Sequence, residues 1–282
     1  MSKLGVIVCG NSGIDYIKHD YDIRVMRSML LFDGEEYTDF VDITAEAFYA
    51  KLRADQKIIP STAQTATGVI LELYEKMRDD GYEEIIAITI SSKLSGTYEG
   101  AQMAAKMVEG VKVTVFDSLS VAYAEAHMAL TAAKMAKEGK KMTDIVDALT
   151  KIREGQGILV SVDTLLYLVK NGRLSGASGF VGSLLKIKPM LQLSREGKIE
   201  AAEKIRTRKK AIDRIIEKFL EEYADGVEPF LVHAHDQETI DEIRQRLLEA
   251  RPEFKEIKDY PLTPVVGAHA GPGAVAIGWI KK

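Results

Sequence analysis

An α/β protein built of two units is the fold class this sequence predicts, on three observations. Its 282 residues exceed the about 100–200 residues of an ordinary single domain. The first half alternates short β-branched runs with longer amphipathic stretches, the rhythm of parallel strands covered by helices. The second half offers many strands and few helices, which points to a mixed α+β sheet. Residues 1–155 are read as the first unit and 156–282 as the second, joined near Glu154-Gly-Gln-Gly157, where glycines flank the change of rhythm.

Taken in order, Gly5–Cys9 reads as a strand, Ala45–Ala54 and Gly68–Asp79 as helices, and Ile85–Ile90 as a strand. Thr97–Val108 then reads as helix, Lys112–Phe116 as strand, and Val121–Glu138 and Met142–Arg153 as helices, with glycine-rich joints between them. Beyond the joint, Ile158–Val162, Pro189–Leu193, Ile199–Ile205, Pro229–Ala234, Phe254–Lys258, Val265–Gly267 and Ala274–Ile280 read as strands. Asp163–Ser175 contains a short helix, capped by Asp163, ended by Gly172, and presenting Arg173 just past its C-terminus.

Composition narrows the function. With 46% apolar and 28% charged residues the chain can bury two cores and is not a disordered segment. A net charge of −4 provides no positive field for nucleic acid or an anionic membrane surface. The single Cys9 cannot form an internal disulfide, and the start MSKLGVIVCG lacks the apolar stretch of a signal peptide, so the cytoplasm is the expected compartment. No apolar run approaches the about 18 residues of a membrane-spanning helix, so no integral membrane segment is expected.

The most informative segment is Ile88-Thr-Ile-Ser-Ser-Lys-Leu-Ser-Gly-Thr-Tyr98, an apolar strand running into a hydroxyl-rich turn and then a helix. The carboxyl end of a parallel strand opens a crevice, and the following helix begins there with unpaired N–H groups and a partial positive charge. Ser92, Ser95 and Thr97 would add hydroxyl donors around an anion; equally, Ser92 or Ser95 would serve as a helix cap. A second such turn, Pro60–Thr67, brings Thr62 and Gln64 towards the same edge, with capping again the alternative. Gly267-Ala-His-Ala-Gly-Pro-Gly-Ala274 allows close backbone approach, and His269 within it is either an anion donor or a packed histidine. Its letters match a dinucleotide fingerprint, but a strand and the chain end follow where a helix and a ribose-binding acid are required. Arg173 either pairs with an anion or serves its own helix's last carbonyls.

Phe180–Leu193 reads as an apolar helix followed by a strand, either pocket lining or plain core. Lys204–Lys210 is the one dense basic stretch, a solvated helix face or a docking site for an acidic or nucleotide-bearing partner. Catalytic parts are thin: there is no Gly-x-Ser-x-Gly elbow, no zinc-type spacing, and no third ligand beside His233 and His235, so neither metal nor cofactor is expected.

Ser-Ser-Lys-Leu-Ser-Gly-Thr-Tyr98, Asn-Gly-Arg-Leu-Ser175, Gly197-Lys-Ile with Arg206-Thr-Arg-Lys-Lys210, and Gly-Pro-Gly-Ala274 together resemble the DegV family across essentially the whole chain. The resemblance implies a three-layer α/β/α first domain with a parallel sheet, a second domain with a mixed sheet, and a ligand cleft between them. It implies a fatty acid such as palmitate, stearate or oleate as ligand, and a carrier role towards a bacterial fatty-acid kinase that makes acyl-phosphate for phospholipid synthesis, not catalysis by this chain. Carried over by motif, Thr62 and Ser95 would hold the carboxylate with the Gly96 amide close by. His269 and Arg173 would bear on the headgroup, and Arg206 would face the partner. Two departures stand out: Cys9-Gly-Asn-Ser-Gly13 where the family has an Asp-Ser-type turn, and Thr-Ala-Gln-Thr where Thr-Ser-Gln-Pro is common. The competing reading is a serine-dependent acyl hydrolase or transferase using Ser95 and His269.

Overall fold

The computed structural model describes residues 3–55, 57–176 and 187–282. Strands β1 (Leu4–Cys9), β2 (Ile23–Met26), β6 (Glu84–Thr89) and β7 (Lys112–Asp117) form a parallel sheet in the order β2-β1-β6-β7. Alternation along β1 decides what covers each face. Val6 and Val8 join Ile86 and Ile88 beneath α4 (Tyr123–Lys137) and α5 (Met142–Gly155), whereas Ile7 and Cys9 join Ile85 and Ala87 beneath α2 (Thr67–Asp79) and α3 (Thr97–Met107). Two-residue periodicity with both faces apolar is what a strand between two helical layers requires.

A six-stranded mixed sheet follows, in the order β10-β9-β8-β13-β11-β12. Its strands are β8 (Gln156–Ser161), β9 (Met190–Leu193), β10 (Ile199–Glu203), β11 (Val227–His233), β12 (Lys258–Pro261) and β13 (Val275–Lys281). Only β11 and β12 pair in parallel. One face packs Leu159, Leu231, Val275 and Ile277 against α7 (Arg208–Glu222) and α8 (Gln237–Ala250). The other face turns Ile158, Phe230, Val232 and Ala276 towards residues from the first half of the chain, including Leu30, Phe32, Phe48 and Tyr49. One apolar core is therefore shared by the mixed sheet and the first half of the chain, and the cavity described below lies inside it.

Several elements differ from the sequence reading. The segment between Cys9 and Ala45 contributes β2 to the parallel sheet and, in β3 (Met29–Phe32) and β4 (Glu35–Thr38), two strands of a small antiparallel sheet. Its third strand is β5 (Ser61–Ala63), where a turn was expected; Thr62 pairs with Leu30. Val265–Gly267 is not a strand but part of helix α9 (Pro264–Ala270), because Pro264 presets the first turn and the Thr263 hydroxyl accepts from the Val266 N–H at 3.4 Å. Phe254–Lys258 is likewise not a strand: Pro252–Phe254 forms a 3₁₀ turn, and pairing to β11 begins only at Lys258. Asp163 does not cap α6 (Leu166–Lys170); Thr164 supplies the hydroxyl, at 3.1 Å from the Leu166 amide, and Asp163 binds the guanidinium of Arg208. His235 lies past the end of β11 at φ +58°, its carbonyl accepting from Arg53, so it does not share a strand face with His233. The expected apolar helix from Phe180 lies outside the described residues up to Lys186.

Helix α9 is held by contact rather than by propensity. A Cβ on Gly267 would come within 2.2 Å of the Tyr49 hydroxyl and 2.9 Å of the Phe48 ring, and both of those side chains are fully buried. Gly267→Ala would gain up to about 1 kcal/mol of helix propensity on an open surface, but overpacking here costs about 1–3 kcal/mol. We expect net destabilisation, read as a lower urea midpoint at unchanged slope.

Candidate functional site

Several chain segments converge at the carboxyl edge of the parallel sheet and line a cavity of about 260 Å³. Its polar end is lined by Asn11, Ser28, Thr62, Gln64, Ser95, Arg173 and His269; its walls are Ile158, Val160, Leu191 and Val232 of the mixed sheet, Ile90 and Val121 past the ends of β6 and β7, and other apolar residues. Each polar residue arrives by a different local route. Thr62 comes from β5, Ser95 from the turn between β6 and α3, His269 from the last turn of α9, and Arg173 from just beyond α6, where Gly172 at φ +71° ends the helix.

Thr62 Oγ1 lies 2.8 Å from His269 Nε2, while Nδ1 of the same ring is buried with no partner among the described residues. If the Thr62 hydroxyl donates to Nε2, Nδ1 carries the proton and remains as an unused donor. Burial, reinforced by the Arg173 charge, pushes His269 down to about 4, so the ring is neutral near pH 7. Ser95 Oγ lies 2.9 Å from Thr97 Oγ1 and accepts from the Thr97 N–H at 3.3 Å. Ser95 is thus paired with Thr97, not with His269, and no serine–histidine dyad is formed. Gly96 is the N-cap of α3, and its missing side chain makes room for Gln64, whose Oε1 would lie 2.2 Å from a Cβ there.

Arg173 does two things at once. Its Nη1 donates to the Asn171 carbonyl at 2.5 Å, serving its own helix end, and its Nε donates to the Leu94 carbonyl at 3.1 Å, fixing the turn that carries Ser95. Ser92 is not among the lining residues; its backbone N–H donates to Asp117 at the end of β7. Arg206 is exposed between β10 and α7, away from the cavity lining.

Two contributors escaped the sequence reading. Asn171 Nδ2 donates to the carbonyls of Pro60 and Ala268, both at 3.1 Å, although an Asn before Gly reads only as a helix end. Below the polar end, Asn11 Nδ2 donates to Glu125 Oε2 at 2.7 Å, and burial holds that carboxyl well above the usual carboxylate range. The available signal was an acid set among the small residues Ala124, Ala126 and Ala129, on the stripe of α4 that is buried.

The DegV family model matches residues 4–282 of this chain. The chain belongs to the DegV family. A DegV domain-containing protein of Staphylococcus aureus is 38% identical over 265 residues, covering 93% of this chain and 91% of the relative. One from Halalkalibacterium halodurans is 36% identical over 262 residues, covering 91% and 90%. Among solved structures, the fatty acid binding DegV family protein of Streptococcus agalactiae superposes with a TM-score of 0.91 at 27% identity over 100% of both chains. The structure of DegV, a fatty acid binding protein from Bacillus subtilis, gives 0.88 at 31% identity, again over 100% of both. The DegV architecture, a parallel sheet with helices and then a mixed six-stranded sheet, is therefore the one found here.

The depressed His269 value has a checkable consequence. An unfolded histidine titrates near 6.5, so between about pH 6.5 and 4 the unfolded chain binds the extra proton and the folded one does not. Stability is then unaffected above the unfolded value and falls as pH drops through it, by up to about 3 kcal/mol. Urea midpoints measured from about pH 7 to about pH 5 should fall less steeply in His269→Gln than in the parent protein.

Proposed function

We propose that this protein is a carrier that binds one long-chain fatty acid between residues 1–155 and 156–282, carboxylate at the polar end and tail along the apolar walls. The observation that carries this reading is the asymmetry of the cavity: hydroxyls, a neutral imidazole and a guanidinium gather at one end of an otherwise apolar space inside the shared core. In this reading Thr62, Ser95, His269 and Arg173 bind the carboxylate, the α3 N-terminus at Gly96 adds its positive end, and Ser92 supports the turn from behind. The DegV relatives whose structures are described as fatty acid binding, at 27% and 31% identity, support the ligand class.

Energetically the tail dominates. Each buried methylene is worth about 0.8 kcal/mol, so a sixteen-carbon acid offers about 11 kcal/mol before the cost of association is subtracted. Such a ligand copurifies. Protein made in bacteria, denatured and extracted into solvent should release close to one fatty acid per chain by mass spectrometry, and a clean empty protein would refute the proposal. Removing the hydroxyls of Thr62 and Ser95 together should weaken binding about tenfold to a hundredfold, at about 1 kcal/mol per lost hydrogen bond.

The bound carboxylate is the group a fatty-acid kinase would phosphorylate, which makes the protein the lipid-presenting half of an acyl-phosphate-forming pair feeding phospholipid synthesis. The exposed Arg206, in the basic Lys204–Lys210 stretch, is our candidate for partner docking. Arg206→Ala should leave fatty-acid affinity unchanged and slow kinase-coupled, ATP-dependent acyl hydroxamate formation. A loss of lipid affinity in that variant would count against the assignment.

A further inference from the structure

A surface groove of about 410 Å³ is lined by aromatic and other residues that neighbour cavity-lining ones along the same strands. On β11, Val232 lines the cavity and Phe230, two residues back on the same face, lines the groove. On β13, Ala276 lines the cavity and Ile280 the groove, with Gly278 between them. Ala122 and Leu262 line the cavity, while their near neighbours Tyr123 and Tyr260 line the groove.

Three of these side chains are rings that pack against one another. Tyr123 stacks on Tyr260 with centroids 3.9 Å apart and planes 9° from parallel, and it tilts against Phe230 at 4.8 Å. Phe230 is the deeply buried member, 2% exposed, and lies across Gly278, where a Cβ would come within 2.2 Å of its ring. The glycine thus provides the seat for the ring. Ala122, which precedes Tyr123, holds φ +59°, a conformation that an alanine keeps only where its surroundings impose it.

We infer that Phe230, seated on Gly278 and backed by the Tyr123–Tyr260 stack, is the end-stop for the methyl terminus of the acyl chain and sets the longest fatty acid the protein accepts. This rests on the fatty-acid reading above. Without the ring, cavity and groove become one channel. One two-residue step along β11 towards Glu228 is about 7 Å, room for about five methylenes.

The test compares the parent protein, Phe230→Ala, the milder Phe230→Leu, and Phe219→Leu, which loosens the core on the opposite face of the sheet. Each is expressed in the same host and its bound lipid is profiled by mass spectrometry. The Phe230 variants should shift to acids longer by up to about five carbons, most in the alanine variant, and Phe219→Leu should keep the parent profile. Each protein is also loaded with a long-chain acid bearing a terminal alkyne and treated with an azide reagent without unfolding. Labelling should be fast in Phe230→Ala and slow in the parent. A lipid-loaded parent whose chain-length profile and alkyne protection are unchanged in both Phe230 variants would overturn the end-stop alone. A shift in Phe219→Leu equal to that in Phe230→Leu would overturn it as well. A parent protein that carries and takes up no fatty acid would overturn the functional reading and this inference together.

Discussion

The two N–H bonds of the Asn171 side-chain amide hold the site together. They donate to the carbonyls of Pro60, at the entrance to β5, and Ala268, in the last turn of α9. A carbonyl left unpaired inside a protein costs about 1–3 kcal/mol, so two at once strongly favour this arrangement. Through this amide, segments separated by more than 90 residues in sequence are brought to the same place. The same two segments carry the Thr62–His269 hydrogen bond. Arg173, two residues further along, extends the same logic to the Leu94 carbonyl and so to the turn that carries Ser95.

This framework explains the electrostatic character of the cavity. Arg173 brings a positive charge close enough to help depress His269, so the imidazole remains a neutral hydrogen-bonding group beside a cation. A neutral donor, hydroxyls and a guanidinium partly engaged with backbone carbonyls favour an anion without burying a bare charge pair, whose desolvation would offset much of its attraction. The walls, by contrast, depend on fit between separate parts of the chain. Ile158 and Val232 belong to the mixed sheet, and Ile90 and Val121 to the segments that follow β6 and β7, so the space exists only where the mixed sheet packs against those segments.

Much of the fold was legible in the residues because the signal was local. The cores of β1, β6 and β7 are β-branched runs with both faces apolar, and α2 and α3 carry clear helical periodicity. Signals failed where tertiary context overrode local preference. Val265-Val266 has the composition of a strand, but Pro264, the Thr263 cap and the close approach of Tyr49 to Gly267 make it helix. Asp163 sits where a cap belongs, yet Arg208, 45 residues away, claims its carboxylate. The small β4-β3-β5 sheet is assembled from short strands with little periodicity of their own, so no window of sequence announces it.

The sequence by itself determined the α/β plan of a parallel sheet followed by a mixed one, the hydroxyl-rich turn after β6 and the family to which the chain belongs. These depend on periodicity, residue chemistry and motif order, all of which are written along the chain. Tertiary structure alone decided which hydroxyls share a site, that Ser95 pairs with Thr97 while Thr62 pairs with His269, and that Ser92 stands outside the lining. It also decided that Phe230 rests on Gly278. Those outcomes depend on distances between residues far apart in sequence, and such distances are fixed only when backbone carbonyls, rings and helix ends find their partners across the shared core.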